Sequence, residues 1–310
     1  MTTTVDRDTG VCRRESVAAA TDGRKIACDA RCPSVRSGPV TEEWLDVNRA
    51  NWDDRARVHA VSEFYDLAGF RAGSSSLRPF EVAEVGDVTG RTLLHLQCHM
   101  GDDTLSWARR GARVTGLDFS PTAVETAREL AADTGLADRA RFVVSDVYSA
   151  REALSGERFD VVYTGIGALV WLPDLTRWAR VVADLLVDGG FLYLAEFHPL
   201  AELLGEDGRT LRHDYFHTDA QTWDEPHTYT DGPQLTSTRS VQWQHPLGEV
   251  VTALAAAGLH LDFLREHEHT LFRRYPVLES TGTGEYRFPP GHPRLPQMYS
   301  LRATKPGGPG

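Results

Sequence analysis

Short apolar runs alternate with stretches of helical spacing from Thr92 onward. Thr92–Leu96, Arg113–Leu117, Ala140–Val144, Phe159–Thr164 and Phe191–Glu196 read as strands one to five. Between them, Asp102–Arg110 reads as a helix, and so does Pro121–Thr134, with Ser120 as N-cap and Pro121 at the first helical position. Trp171–Leu186 reads as a further helix, stopped by Asp188-Gly189-Gly190. Strands in alternation with helices predict a parallel, doubly wound sheet. The rhythm breaks over residues 197–245, a stretch rich in aromatics and histidine, and then resumes. A helix over Leu247–Ala257, strand six over Leu261–His267, a Pro/Gly loop over Pro276–Pro296 and a last strand over Met298–Thr304 complete seven strands.

A helical preface precedes the sheet. One helix runs from Thr41 to about His59 and carries Trp44 and Trp52 near one face. A second short helix is expected over Val61–Leu67, a Gly/Ser loop over Arg71–Leu77, and a third helix over Phe80–Val85. Residues 1–40 show no periodicity and read as a disordered leader. The expected organisation is therefore leader 1–40, N-terminal helical cap 41–90, main domain 91–304 with a substrate lid inserted at 197–245, and flexible tail 305–310.

The chemistry concentrates at the end of strand one. His95-Leu96-Gln97-Cys98-His99-Met100-Gly101 makes a tight turn into a helix, and Asp118 ends the second strand. This is half of a nucleotide-binding βαβ unit, with an acid placed for two ribose hydroxyls. A dinucleotide needs glycines so that backbone N–H groups reach two phosphates. Gln97 and His99 fill the first two glycine positions, and only Gly101 remains. A cofactor with a ribose and no phosphate fits better, and S-adenosylmethionine is such a molecule.

Composition narrows the class further. The chain of 310 residues is 41% hydrophobic and 25% charged, ordinary for a globular protein. No apolar run approaches the ~20 residues of a membrane span, and the polar N-terminus lacks a signal-peptide core; a cytoplasmic protein is expected. The net charge of −11 argues against a nucleic-acid substrate. Asn/Asp-Pro-Pro-Tyr, used by enzymes that methylate exocyclic base nitrogens, is absent after strand four, where Thr164-Gly165-Ile166-Gly167 stands. Of four cysteines, Cys12, Cys28 and Cys32 form no CxxC pair and no zinc-like spacing, so no metal site is expected.

The whole order of elements resembles a class I S-adenosylmethionine-dependent methyltransferase over residues 90–304. Four stations carry the resemblance: Leu94 to Gly101, Gly116-Leu117-Asp118-Phe119-Ser120, Val144-Ser145-Asp146-Val147, and Phe159-Asp160-Val161-Val162-Tyr163 with Leu186 to Phe191. His-Leu-Gln-Cys-His-x-Gly looks like a bacterial subgroup acting on small molecules, including natural products. It lacks the first-strand acid that the wider family places near the cofactor's amino group. The resemblance implies a Rossmann-like, mostly parallel sheet of seven strands under a helical cap. Asp118 would bind ribose and Asp146 the adenine amine, with Phe119 and Val147 beside them. Gln97, His99 and Gly101 would form the turn under the cofactor, Thr164 and Gly165 would lie beside the sulfonium, and Trp52 would close the site. His198 and Glu196, leaving strand five, are the candidates for an acceptor-positioning group or base; His217 and His245 are further imidazoles in the same stretch. The partner is a small-molecule acceptor, apolar or aromatic; no nucleic acid and no membrane are expected, and a homo-oligomer stays open. A non-catalytic protein that binds S-adenosylmethionine or another metabolite, and an NAD(P)-dependent oxidoreductase, are the rival readings.

Overall fold

The computed structural model describes residues 43–282 and 284–308, together with the backbone of Thr4–Val5 and Cys12–Arg13. These two short strands pair with each other, and Cys12–Arg13 runs parallel to Gln221–Asp224. The rest of the expected leader, with Cys28 and Cys32, lies outside the described residues.

Seven strands form the central sheet: β1 (Thr92–Leu96), β2 (Arg113–Asp118), β3 (Ala140–Val144), β4 (Phe159–Thr164), β5 (Leu186–Phe197), β6 (His260–His267) and β7 (Met298–Thr304). Their spatial order is β6-β7-β5-β4-β1-β2-β3. The pairs from β5 through β4, β1 and β2 to β3 are parallel, and β7 enters antiparallel between β5 and β6. The doubly wound expectation holds, with its reversal beside β1 and β4, where such sheets take ligands.

Period-two alternation explains the two-sided burial. Leu93 points to one face and packs with Trp107, Val161, Tyr163 and Phe191. Leu94 and Leu96 point to the other, toward Trp178, Val182, Leu192 and Leu301. Helices cover both faces: α1 (Glu43–Ala60), α2 (Leu67–Arg71), α3 (Pro79–Val85), α4 (Asp102–Arg109), α5 (Pro121–Asp133), α6 (Leu175–Leu185) and α7 (Leu247–Ala256). Ser120 caps α5 as expected, its hydroxyl accepting the Ala123 N–H at 3.1 Å.

Four boundaries differ from expectation, each for a local reason. The helix expected over 61–67 forms instead at Leu67–Arg71, because Asp66 is its N-cap and accepts the Gly69 N–H. Helix α6 starts at Leu175 rather than Trp171, because Pro173 breaks the chain and Asp174 caps the first turn of α6 by accepting the Arg177 N–H. Asp188-Gly189-Gly190 does not stop that helix: Leu186 already pairs with Phe159, and Gly189 turns the strand at φ +77°. At the C-terminus, the tail expected from residue 305 starts later, since Lys305 donates to the carbonyls of Ala183 and Leu186.

The segment inserted after β5 forms an antiparallel strand pair, Gln221–Asp224 with Arg239–Gln242. Helix α1 joins this insert to the sheet domain. Its buried stripe is polar: Asn48, Asn51, Arg55 and His59. The Asn48 amide donates to the Val241 carbonyl at 2.8 Å and accepts the Val241 N–H at 2.7 Å. Asn51 donates to the Ser237 carbonyl, and the Asp54 carboxylate accepts the Ser237 N–H. On the other side, Asp53 accepts from the Ser120 hydroxyl and the Thr122 N–H, docking α1 onto the start of α5.

Candidate active site

Two adjoining cavities open over the carboxyl ends of β1, β2, β3 and β4. The smaller, ≈ 130 Å³, is lined by Gln97, His99, Asp118, Phe119, Asp146, Val147, Gly165 and Trp52, among others. The larger, ≈ 470 Å³, lies between the sheet ends, the insert and the loop after β6. Trp52, Tyr65, Asp102, Asp103, Ile166, Gly167, Trp171 and Tyr229 line both, so they form the common wall.

The turn after β1 keeps the backbone of a glycine-rich turn without its glycines. Gln97 and His99 sit at φ +58° and +48°, and Gly101 at +77°. Residues with a side chain rarely hold such angles, and they do so mostly where the surrounding structure enforces them at a functional site. Asp118 is part of what enforces them here. Its carboxylate accepts the His99 N–H and the Ser120 N–H, both at 2.9 Å. Burial pushes its carboxyl up to about 6 against the pull of those N–H groups. Asp146 likewise uses one oxygen, Oδ1, for the N–H groups of Tyr148 and Ser149.

The smaller cavity holds polar atoms without partners among the described residues: Gln97 Oε1, His99 Nδ1 and Trp52 Nε1. Buried polar atoms are normally paired, so these call for a polar ligand. Together with the two carboxylates they fit a nucleoside-bearing cofactor. Gln97 and His99 are fixed from behind: Gln97 donates to the Ala168 carbonyl at 3.0 Å, and His99 Nε2 lies 2.9 Å from His59 Nδ1. Burial first, and then the Arg55 guanidinium, holds the His99 imidazole down to about 3, so it is neutral at physiological pH. The Arg55 charge also stacks on Trp52 and Trp171, at 5.4 and 5.5 Å from their ring centres.

Four expected site residues take other places. Gly101 does not line the cavity; a Cβ there would come within 2.7 Å of Phe142 and 2.8 Å of Ala127, so glycine serves the packing of β3 and α5 under the turn. Thr164 is fully buried, with Oγ1 unpartnered, and it is Gly165 that reaches the cavity. Glu196 is buried, and its carboxylate accepts the N–H groups of Gly167, Ala168, Leu169 and Phe197 at 2.7–2.9 Å. It shapes the loop that separates the two cavities. Burial pushes its carboxyl up to about 7, opposed by those four donors. His198 lines neither cavity: Nδ1 accepts the Leu200 N–H, and Nε2 lies 3.0 Å from Glu266. Its ring caps the turn after β5. His245, 2.8 Å from the Leu172 carbonyl, is also a structural contact.

Apart from Trp52, sequence reading missed the common wall. Asp102 and Asp103 open α4 directly after the turn, and that adjacency was the available signal. Tyr65 and Tyr229 meet hydroxyl to hydroxyl at 2.6 Å across 164 positions, which no local pattern announces. Among the described residues no cluster of His, Cys, Asp and Glu is suited to a metal ion, and no helix is long and apolar enough to cross a membrane.

Residues 93–190, from β1 to the start of β5, match the sequence family described as a methyltransferase domain. Within the matched segment lie the turn at Gln97–Gly101, Asp118, Asp146 and Gly165. The chain is 30% identical to the ubiquinone biosynthesis O-methyltransferase of Serratia proteamaculans over 145 residues, 45% of this chain and 58% of that protein. It therefore spans less than two thirds of that relative's length. In fold it is similar to an S-adenosylmethionine dependent methyltransferase from Mesorhizobium loti, with 19% identity, TM-score 0.53, and coverage of 75% of this chain and 99% of that one. It is similar also to the CcbJ methyltransferase from Streptomyces caelestis, with 16% identity, TM-score 0.55, and coverage of 83% and 98%.

Proposed function

We propose that this protein transfers the methyl group of S-adenosylmethionine to a small, largely apolar or aromatic acceptor, as the bacterial small-molecule methyltransferases do. The observation that carries the reading is the pair of cavities sharing one wall. The smaller presents carboxylates and unpartnered polar atoms suited to a nucleoside. The larger presents Phe64, Tyr65, Trp171, Phe197, Tyr229 and Phe272 to an acceptor. When bound, the cofactor supplies an activated sulfonium methyl, so the protein's task is to align and to exclude water.

Asp118 and Asp146 hold the nucleoside end. Gln97 and His99 offer Oε1 and Nδ1. Trp52 closes the site from α1, and Glu196 fixes the loop from Gly167 to Leu169 between the two ligands. On the common wall the hydroxyls of Tyr65 and Tyr229 share a hydrogen bond; burial keeps both protonated, so they position an acceptor and do not take its proton. His198 and Glu196 act by positioning β5 and the separating loop. An aromatic acceptor is supported by the name of the ubiquinone-pathway relative and by the aromatic lining. A place in specialised metabolism rests on the His95 to Gly101 motif alone. The turn argues against an NAD(P)-dependent oxidoreductase, because Gln97 and His99 put side chains where a pyrophosphate needs bare backbone.

Incubation with methyl-labelled S-adenosylmethionine and a panel of phenols, quinols, amines and prenyl compounds tests the proposal. Label should move to at least one aromatic member. Cofactor binding with no transfer to any member would favour a non-catalytic binding protein.

A further inference from the structure

We propose that Asp103, with His95 beside it, receives the α-ammonium group at the methionyl end of S-adenosylmethionine, in the gap left open by Gly165. The inference rests on the cofactor reading above and assigns the end of the ligand that the motif leaves without an acid.

Topology gives the direction. Asp146 follows β3, Asp118 ends β2, the Gln97–Gly101 turn follows β1 and Gly165 follows β4, and these strands are neighbours in that order. A nucleoside held at β3 and β2 therefore extends its remaining atoms past β1 toward β4. Gly165 leaves a polar gap there. A Cβ built on it would lie 3.4 Å from His95 Nε2 and 3.7 Å from Asp103 Oδ2, in ordinary contact with both. His95 is only 3% exposed. Its Nδ1 is 2.8 Å from the Thr104 hydroxyl. Its Nε2 has no hydrogen-bond partner among the described residues and faces this gap. Burial holds that imidazole down to about 3, so it meets a ligand as a neutral group.

Charge identifies what the gap lacks. Three carboxyls gather here, Glu81, Asp102 and Asp103, and the Arg78 cation acts on all of them. Burial and the neighbouring Asp103 charge push Asp102 up to about 8 and Glu81 up to about 7. Two of the three are already engaged. Glu81 accepts the Tyr163 hydroxyl at 2.6 Å and the Arg78 N–H at 2.9 Å. Asp102 folds back on the backbone N–H groups of Asp102 and Asp103 at the start of α4. Asp103 has the Ser76 hydroxyl, lines both cavities and is the acid left for a cation. An ammonium there would offset the mutual repulsion of the cluster.

Calorimetric titration with S-adenosylhomocysteine and with 5′-methylthioadenosine separates the two ends of the ligand, because the second compound lacks the amino-acid portion. Wild type should bind both. Asp103→Asn should weaken S-adenosylhomocysteine by about 10- to 100-fold, the range for one lost charged hydrogen bond, and 5′-methylthioadenosine by less than about twofold. Gly165→Ala, whose added methyl meets no forbidding contact, should fill the gap and weaken S-adenosylhomocysteine by about tenfold or more. It carries the test if Asp103→Asn fails to fold. Wild-type binding with either variant unaffected, or equal weakening of both compounds, overturns the assignment and leaves the cofactor reading standing. Failure of wild type to bind either compound overturns both.

Discussion

The sheet domain and the joint between α1 and the insert are held together by opposite kinds of contact. In the sheet domain, apolar side chains interdigitate on both faces of β1, β4 and β5. At the joint, side chains bond to backbone at Asn48 with Val241 and at Asn51 and Asp54 with Ser237, and His59 meets the Thr228 hydroxyl. Dispersion and hydrophobic burial are non-directional and tolerate local rearrangement. Hydrogen bonds in a buried joint are directional and costly to leave unmade. The first region is thus suited to be a permanent scaffold. The second is suited to hold one closed geometry over the cofactor, with Trp52 and His59 as its contacts to the turn.

The contrast breaks most visibly in the core. Trp178, fully buried in α6, should cost about 3–5 kcal/mol on replacement by Ala, the range for large-to-small aromatic truncation. Urea denaturation followed by fluorescence and circular dichroism measures it, and a loss below ~1 kcal/mol would mean that the core collapses around the gap. At the joint, Asn51→Ala leaves the Ser237 carbonyl and the Arg55 Nε–H without their partner. A cost of about 1–3 kcal/mol is expected. It should be local: hydrogen exchange should rise in residues 43–60 and 228–242 and stay unchanged in β1 and β4. Exchange rising equally in the sheet would show that the two regions unfold as one unit.

The difference also governs what the sequence discloses. Strands β1, β3, β4 and β7 are legible to the residue because each is a short strand-forming run with sharp ends; β1 and β4 are buried on both faces, whereas β3 at the sheet edge is half exposed. Asp118 and Asp146 are legible because the carboxyl end of a parallel strand is a fixed place. Helix α1 is legible as a helix, but not in its orientation. Its buried stripe is Asn48, Asn51, Arg55 and His59, and an apolar-moment reading looks for the reverse. The partners of that stripe in the insert lie more than 160 positions away. His198 shows the converse error. Its place just after β5 is the right place for chemistry, but Glu266 and the Leu200 N–H claim both ring nitrogens. Position along a strand does not say which way a ring turns once the following Pro199 redirects the chain.

The smallest expected effect is electrostatic. Burial and Arg55 hold His99 near 3, against about 6.5 for an unfolded histidine. The folded value is the lower one, so the unfolded chain takes up a proton that the folded chain refuses. Stability from this group is complete above pH 6.5 and is lost as pH falls toward 3. Asp118, held up to about 6, contributes with the opposite sign between about pH 6 and 3.8. Comparing wild type with His99→Asn cancels the Asp118 contribution. The variant should lose less stability on acidification, by about 1 kcal/mol per pH unit below pH 6. Parallel pH profiles would show that His99 titrates normally in the folded protein.

The central claim is that the cavity at the ends of β1, β2 and β3 is an S-adenosylmethionine site whose ribose is held by Asp118. Calorimetric titration of wild type and Asp118→Ala with S-adenosylhomocysteine and with NAD⁺ tests it most directly. The account predicts S-adenosylhomocysteine binding by wild type, weakened by about 10- to 100-fold in Asp118→Ala, equivalent to about 1.5–3 kcal/mol for a lost charged hydrogen bond. It predicts no comparable binding of NAD⁺. Tight NAD⁺ binding, or an S-adenosylhomocysteine affinity unchanged by Asp118→Ala, would contradict it.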